Sequence, residues 1–137
     1  MSNEFFGEPV SVYTRSQAIA DGVLVDLTDN SRGYGFKIPM AATSAVWHTI
    51  AWHQHTEQAK ADSTGQSTAG RLHDVLSIAR LAANAAAQAG ASVVQFEVLM
   101  VPVEGRSTAP VSVSLRLVVS GGDDGEPVLT LMLPDED

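Results

Sequence analysis

Residues 71–87 read RLHDVLSIARLAANAAA, and this stretch decides how the rest of the chain folds. Apolar residues recur in it at steps of three and four, which places them on one stripe of an α-helix. The stripe consists of Leu72, Val75, Leu76, Ala79, Ala82, Ala83 and Ala86, widened by Ile78, Leu81 and Ala85. We expect this helix to pack on the sheet, with its alanine-rich C-terminal half lying close to the sheet and with Leu72, Val75, Leu76 and Leu81 filling the wider end.

Three stretches with alternating apolar residues follow this helix. They are residues 93–101 (VVQFEVLMV), 111–120 (VSVSLRLVVS) and 128–133 (VLTLML). The connections between them are short and carry turn residues, which favours an antiparallel meander. Because one face is apolar and the other polar, helices are expected on only one face of this sheet.

Two further helices are predicted upstream. Thr14 and Gln17 match a capping box, so a short helix begins there and ends at Gly22. A longer helix is expected over residues 43–60, because Pro39 excludes an earlier start.

The sequence therefore predicts a single α+β domain. Its fold is a C-terminal three-stranded antiparallel meander with two longer helices and one short helix on one face. Residues 23–27 (VLVDL) are a short strand that would extend the meander, and residues 29–35 (DNSRGYG) are a loop. Residues 1–12 are expected to be an irregular lead-in, residues 13–134 the domain, and residues 135–137 an acidic tail.

Composition narrows the class of protein. The chain has 137 residues, 45% of them hydrophobic and none of them cysteine, which fits one globular domain without disulfides. No apolar run reaches the length of a membrane helix, and the N-terminus lacks the pattern of a signal peptide. We therefore predict a cytoplasmic protein with no membrane partner.

Acidic residues are concentrated near the C-terminus. The net charge is −8, and the stretch after Gly121 holds six acids and no base. These acids are Asp123, Asp124, Glu126, Asp135, Glu136 and Asp137. Direct binding to nucleic acid is disfavoured, because phosphate needs clustered Lys and Arg. The six acids are candidate partner-binding residues that face a basic protein surface or imitate DNA; the alternative is a solvated loop and tail that aid solubility.

Trp52 is the second candidate for partner binding. Trp47 and Trp52 are five residues apart and lie on distinct faces of a helix, so one enters the core while the other faces outward. His48 and His55 lie on the same side as Trp52 and complete this candidate surface. Tryptophan dominates many interface hot spots. The alternative is that another segment of the chain covers Trp52.

No set of residues predicts catalysis, a metal site or a cofactor. The four histidines are not spaced three or four apart on one helix face, as a helical zinc pair requires. Residues 123–126 lack the alternating acids of a calcium loop. Gly33 and Gly35 are not followed by a P-loop lysine, and no G-x-S-x-G elbow is present. An enzyme whose site is not visible in the sequence stays open as an alternative.

Four stretches carry a resemblance to a known family. They are residues 13–28 (YTRSQAIADGVLVDLT), 35–39 (GFKIP), 70–83 (GRLHDVLSIARLAA) and 122–137 (GDDGEPVLTLMLPDED). In them the chain resembles a family of short acidic bacterial proteins of unknown function, which are encoded on plasmids, integrated elements and phages. The chain departs from the family pattern at His73 and at residues 85–88 (AAAQ), where the family has more basic residues. The resemblance implies a stand-alone protein of mobile DNA and assigns no catalytic residue.

We therefore expect a non-enzymatic protein-interaction module of a mobile genetic element. Its partner would be a host protein or a protein encoded by the element. The alternatives are an anti-defence protein that uses acidic DNA mimicry and a small enzyme with a hidden site. The edges of the sheet also allow a homo-oligomer.

Overall fold

A computed structural model describes residues 12–137, which form five helices and five strands. The helices are α1 (Arg15–Ala20), α2 (Thr28–Arg32), α3 (Ser44–Ile50), α4 (Gln54–Gln58) and α5 (Thr68–Gln88). The strands are β1 (Leu24–Asp26), β2 (Met40–Thr43), β3 (Val93–Met100), β4 (Val111–Gly121) and β5 (Pro127–Met132). The predicted α+β class is confirmed. Most of the expected lead-in, residues 1–11, lies outside the described residues.

The five strands of the described chain form one mixed sheet, in the order β1-β2-β5-β4-β3. The strands β2 and β5 are parallel, with Ala41 opposite Thr130, and the other neighbours are antiparallel. The predicted three-stranded antiparallel meander is therefore wrong, and β1 pairs only with β2. The sequence MAAT of β2 is too short to show alternation. Its parallel partner is distant in the chain, so no local turn indicates the pairing.

Helices lie on both faces of the sheet. Leu129 and Leu131 point into the main core, where α3 and α5 pack. Thr130 points the opposite way. The helix α1 lies on that second face, where Nη1 of Arg15 donates a hydrogen bond to Oγ1 of Thr130 over 2.8 Å. The prediction of all helices on one face is therefore wrong. Thr130 is itself buried, and a single polar position in VLTLML did not indicate a second covered face.

The apolar stripe of α5 forms part of the core, as predicted. Leu72, Val75, Leu76 and Ala79 are all buried. Ala85 is exposed, and so is Leu81, whose side chain is 69% exposed. Leu81 lies about 140° around the helix from Leu76, so it cannot share the buried stripe. None of the described helices, α5 included, combines the length and apolar character needed to cross a membrane.

The helix predicted over residues 43–60 is interrupted in the structure. The backbone is extended at Ala51 (ψ 136°) and at His53 (ψ 162°), which separates α3 from α4. Trp52 lies in this break, where its backbone N–H donates to Oγ1 of Thr68 over 2.8 Å. The interruption is caused by a tertiary hydrogen bond that replaces a helical one. The sequence therefore carries no glycine or proline at this point that would predict it.

The loop predicted at residues 29–35 is also wrong, because most of α2 lies there. The carboxylate of Asp26 accepts hydrogen bonds from the N–H of Thr28 over 3.0 Å and from its hydroxyl over 2.6 Å. The Thr28 hydroxyl is the main cause that lowers the pKa of Asp26. Asp, Asn and Ser favour helix starts as well as turns, so their presence did not separate the two structures.

Arg71 on α5 is a buried cation that joins several elements. Its side chain is 3% exposed, and burial is the main cause that lowers the pKa of its guanidinium. The guanidinium donates to the carbonyls of Thr49 (2.5 Å), Ile50 (2.9 Å) and Val101 (2.9 Å) and to the side chain of Gln66 (2.7 Å). These acceptors lie in α3, after β3 and in the linker before α5, so one side chain holds three segments together.

Replacing Arg71 by methionine is expected to lower the free energy of unfolding by about 3 kcal/mol or more, because buried carbonyls lose their donors. Chemical denaturation measures this change. The matched control is Arg32→Met, since Arg32 is exposed on α2 and makes a surface ion pair with Asp29 at 3.0 Å. The control should change stability by less than about 0.5 kcal/mol. Equal losses in the two variants would contradict the role given to Arg71.

Candidate functional site

The segment around Trp52 lines a shallow surface depression. The lining residues come from the break between α3 and α4, from α4 itself and from the linker that leads to α5. They are Trp52, His53, Gln54, Glu57, Ser63, Gly65, Gln66, Ser67 and Thr68. Because the helix is interrupted at Trp52, this side chain lies half-buried at the surface instead of on the face of a long helix.

The ring of Trp52 is held by polar and cationic neighbours. Its Nε1–H donates to Oε1 of Glu57 over 3.0 Å. The guanidinium of Arg71 lies 4.8 Å from the ring centre, and Nζ of Lys60 lies 5.6 Å from it. Both cations are within the range of cation–π attraction. Nζ of Lys60 also donates to the carbonyl of Pro102 over 2.6 Å, so the charges around the ring are anchored within the fold.

Glu57 links Trp52 to the linker. Besides the indole N–H, its carboxylate accepts the backbone N–H of Thr64 over 3.0 Å and the hydroxyl of the same residue. These bonds lower the pKa of Glu57, with the Thr64 hydroxyl as the main cause, then the Thr64 N–H and Trp52. Hydrogen bonds to a carboxylate favour its charged form. Glu57 is thus held as an anion that fixes the indole and the linker together.

The structure separates the two predicted histidines from the depression. His48 is exposed on α3, with Nδ1 at 2.8 Å from the carbonyl oxygen of Ser44. His55 is exposed on α4, and its ring stacks on that of His53 with the centroids 5.4 Å apart. Of the histidines, it is His53 that lines the depression together with Trp52. Residue spacing on a continuous helix would place His48 and His55 beside Trp52, so it could not predict that His53 lies there instead.

The groups that line the depression can make hydrogen bonds around an aromatic side chain. Within residues 12–137, no three or more His, Asp or Glu side chains are grouped so that they could hold a metal ion. The carboxylate of Glu57 is occupied by hydrogen bonds within the fold. Amides, hydroxyls and the imidazole of His53 surround the indole. Such a set can hydrogen-bond to peptide groups around an aromatic contact.

The acidic loop between β4 and β5 is tied to α1. Oδ1 of Asp123 accepts the N–H of Arg15 over 2.7 Å, and Oδ2 accepts the N–H of Ser16 over 3.0 Å. A carboxylate at the start of a helix accepts hydrogen bonds from its free N–H groups and interacts favourably with the positive end of the helix dipole. Asp124 is exposed, and its N–H donates to Oε1 of Glu126 over 3.1 Å. Asp123 thus has a structural role in the fold.

The acidic tail is anchored through Glu136. Oε1 of this residue accepts the hydroxyl of Thr43 over 2.7 Å and the N–H of Leu133 over 2.8 Å. Asp135 and Asp137 on either side of it are exposed. Of the three tail acids, one therefore binds back to the sheet and two face solvent.

A family model matches residues 1–137. The chain belongs to DUF6573, a family of unknown function. The match confirms the expectation of a family without an assigned function, and it assigns no role to any residue. No curated protein and no solved structure matches the chain.

Three residues that hold Trp52 were missed from the sequence, namely Glu57, Lys60 and Thr64. The signal that the sequence offers is the polar stretch at residues 62–68 (DSTGQST), whose composition indicates a linker and no particular contact. Contacts across a loop follow no helical or strand period, so pattern reading does not detect them.

Replacing Asp123 by alanine is expected to lower the free energy of unfolding by about 1 kcal/mol, because two helix N–H groups lose their acceptor. Urea denaturation measures the change. Asp124→Ala is the matched control in the same loop, and it should leave stability within about 0.5 kcal/mol of the parent, since that side chain is exposed. If both variants lost the same stability, the capping role of Asp123 would be refuted.

The environment of Trp52 is expected to change in acid. Because the pKa of Glu57 is lowered in the fold, its stabilisation is complete above the ordinary pKa of about 4.3 and is lost as the pH falls through the folded value. Trp47→Phe leaves Trp52 as the single tryptophan, and its fluorescence reports the transition.

In this background, Glu57→Gln is expected to remove the fluorescence change below about pH 4.5, because the side chain no longer titrates. The control Glu104→Gln alters an exposed acid and should keep the parental titration. An unaltered acid transition in Glu57→Gln would show that another group controls the indole.

Proposed function

We propose that this protein is a non-enzymatic, cytoplasmic protein-interaction module of a mobile genetic element. Its binding site is the depression around Trp52, and its partner is a host protein or a protein encoded by the element. The observation that carries the proposal is the fixed, half-buried indole of Trp52 at an open surface. The proposal that a mobile genetic element encodes this protein rests on the family resemblance alone.

The contacts around Trp52 prepare the indole for binding. The hydrogen bond to Glu57 and the Arg71 guanidinium hold the ring in one orientation before a partner arrives. Binding then costs less side-chain entropy than it would with a mobile ring. Tryptophan also supplies a large apolar area and is enriched among residues that dominate interfaces. These properties support recognition of a protein surface.

The chemistry of the depression indicates the kind of partner segment. His53, Gln54, Gln66 and Ser67 place imidazole, amide and hydroxyl groups beside the indole. A segment that covers the indole with an apolar side chain and bonds these groups through its backbone would fit the surface. Acidic DNA mimicry ranks lower, because the carboxylates of three of the six predicted acids, Asp123, Glu126 and Glu136, accept hydrogen bonds within the fold.

Site-specific photocrosslinking tests this proposal in cells that carry the native gene. Benzoylphenylalanine in place of Gln54 lies at the depression, and the same amino acid in place of Asn30 lies on exposed α2. Irradiation should join a discrete protein to the first variant but not to the second. Excess unmodified protein should abolish the adduct by competition. Identical adducts from both positions, or none from Gln54, would refute the proposed site.

A further inference from the structure

The strand β3 is at one edge of the sheet, and its second side is free within the described chain. The N–H of Val119 donates to the carbonyl of Ser92 over 2.8 Å. This bond shows that Ser92, and then every second residue of β3, forms its backbone hydrogen bonds with β4. In antiparallel pairs, successive residues bond alternately to one side and to the other. The residues whose N–H and C=O groups point to the free side are Val93, Gln95, Glu97 and Leu99.

This edge has little of the usual protection against strand pairing, since Glu97 is the single charged residue among its eight. Natural edge strands are commonly shortened, bulged, or blocked by proline or lysine. The strand β3 has eight residues, VVQFEVLM, without proline or lysine, and it pairs with β4 in an unbroken register. The other edge strand, β1, has only three residues. The free side of β3 is therefore the longer open edge of the described sheet.

Exposed apolar side chains lie near both ends of this edge. Val93 is 48% exposed and Leu99 is 69% exposed, on the face opposite α5. Gln95 and Glu97 lie between them on the same face and are exposed as well. A groove between α5 and this edge is lined by His73, Asp74, Ser77, Ile78, Glu97, Val98 and Leu99. The helix therefore leaves space beside the strand.

We propose that the free edge of β3 binds the β3 of a second copy of this chain, antiparallel, around a two-fold axis at Phe96. The two sheets then form one continuous sheet with a self-complementary interface. In this register Val93 faces Leu99 of the second copy, and Gln95 faces Glu97 of the second copy. Each facing pair exchanges two backbone hydrogen bonds. This surface is separate from the Trp52 depression and does not depend on the function proposed for it.

Side-chain complementarity selects this register over its neighbours. A shift by two residues in one direction places Glu97 opposite Glu97 of the second copy, and like charges directly opposite are unfavourable. A shift in the other direction places Glu97 opposite Val93 and Leu99 opposite Ala91, a small residue that precedes the strand. Only the register centred on Phe96 pairs apolar with apolar and the carboxylate with an amide.

Sedimentation equilibrium of the full chain over a range of concentrations tests the pairing. The parent protein should form a dimer whose dissociation constant is measurable. V93K and L99E should each raise that constant by at least about tenfold, because each places a charge opposite an apolar side chain. V23K is the matched control, since Val23 is 49% exposed beside the short strand β1, at the other edge. It should leave the dimer unchanged.

The double variant V93K/L99E tests the register itself. It places the two new charges, opposite in sign, face to face across the axis, so the dimer should recover to within about threefold of the parent. Circular dichroism checks that each variant keeps its fold, as expected for side chains that are exposed in the described structure. A parent that stays monomeric at about 1 mM would overturn the proposal. A dimer that is insensitive to V93K, or one that V93K/L99E fails to restore, would equally overturn it.

Discussion

The buried guanidinium of Arg71 is the interaction on which the rest of the structure depends. The final carbonyls of a helix have no partner within that helix and must find donors elsewhere. Arg71 supplies donors to Thr49 and Ile50 at the end of α3, and to Val101 after β3. A buried cation is costly unless it is fully hydrogen-bonded. The fold must therefore bring α3, α5 and the end of β3 together in one arrangement.

The candidate binding surface follows from the same constraint. Because Arg71 occupies the end of α3, the chain leaves the helix at Ala51 and presents Trp52 to the guanidinium at 4.8 Å. Glu57 then fixes the other side of the indole to the linker through Thr64. A polar network in the core and an aromatic side chain at the surface are thus parts of one structure. Such coupling holds the candidate residue Trp52 in one position through hydrogen bonds that also join the core.

Local patterns predicted the elements whose signals are contained in a few neighbouring residues. The capping box of Thr14 and Gln17 is present, as expected. The alternation over residues 111–120 corresponds to β4, and the buried stripe of α5 matches its apolar period. Trp52 lies half-buried in the break between α3 and α4. His53 lines the depression with it, and the predicted neighbours His48 and His55 do not, because the helix that would have aligned them is broken.

The sequence by itself determined the α+β class, the core face of α5 and the alternation of β4, because helical and strand periods are written in adjacent residues. Tertiary structure decided the parallel pairing of β2 with β5, the placement of α1 on the second face and the break at Trp52. Each of these depends on a hydrogen bond between residues far apart in the chain. No periodic pattern records such a bond, so it becomes visible only when the distant segments have met.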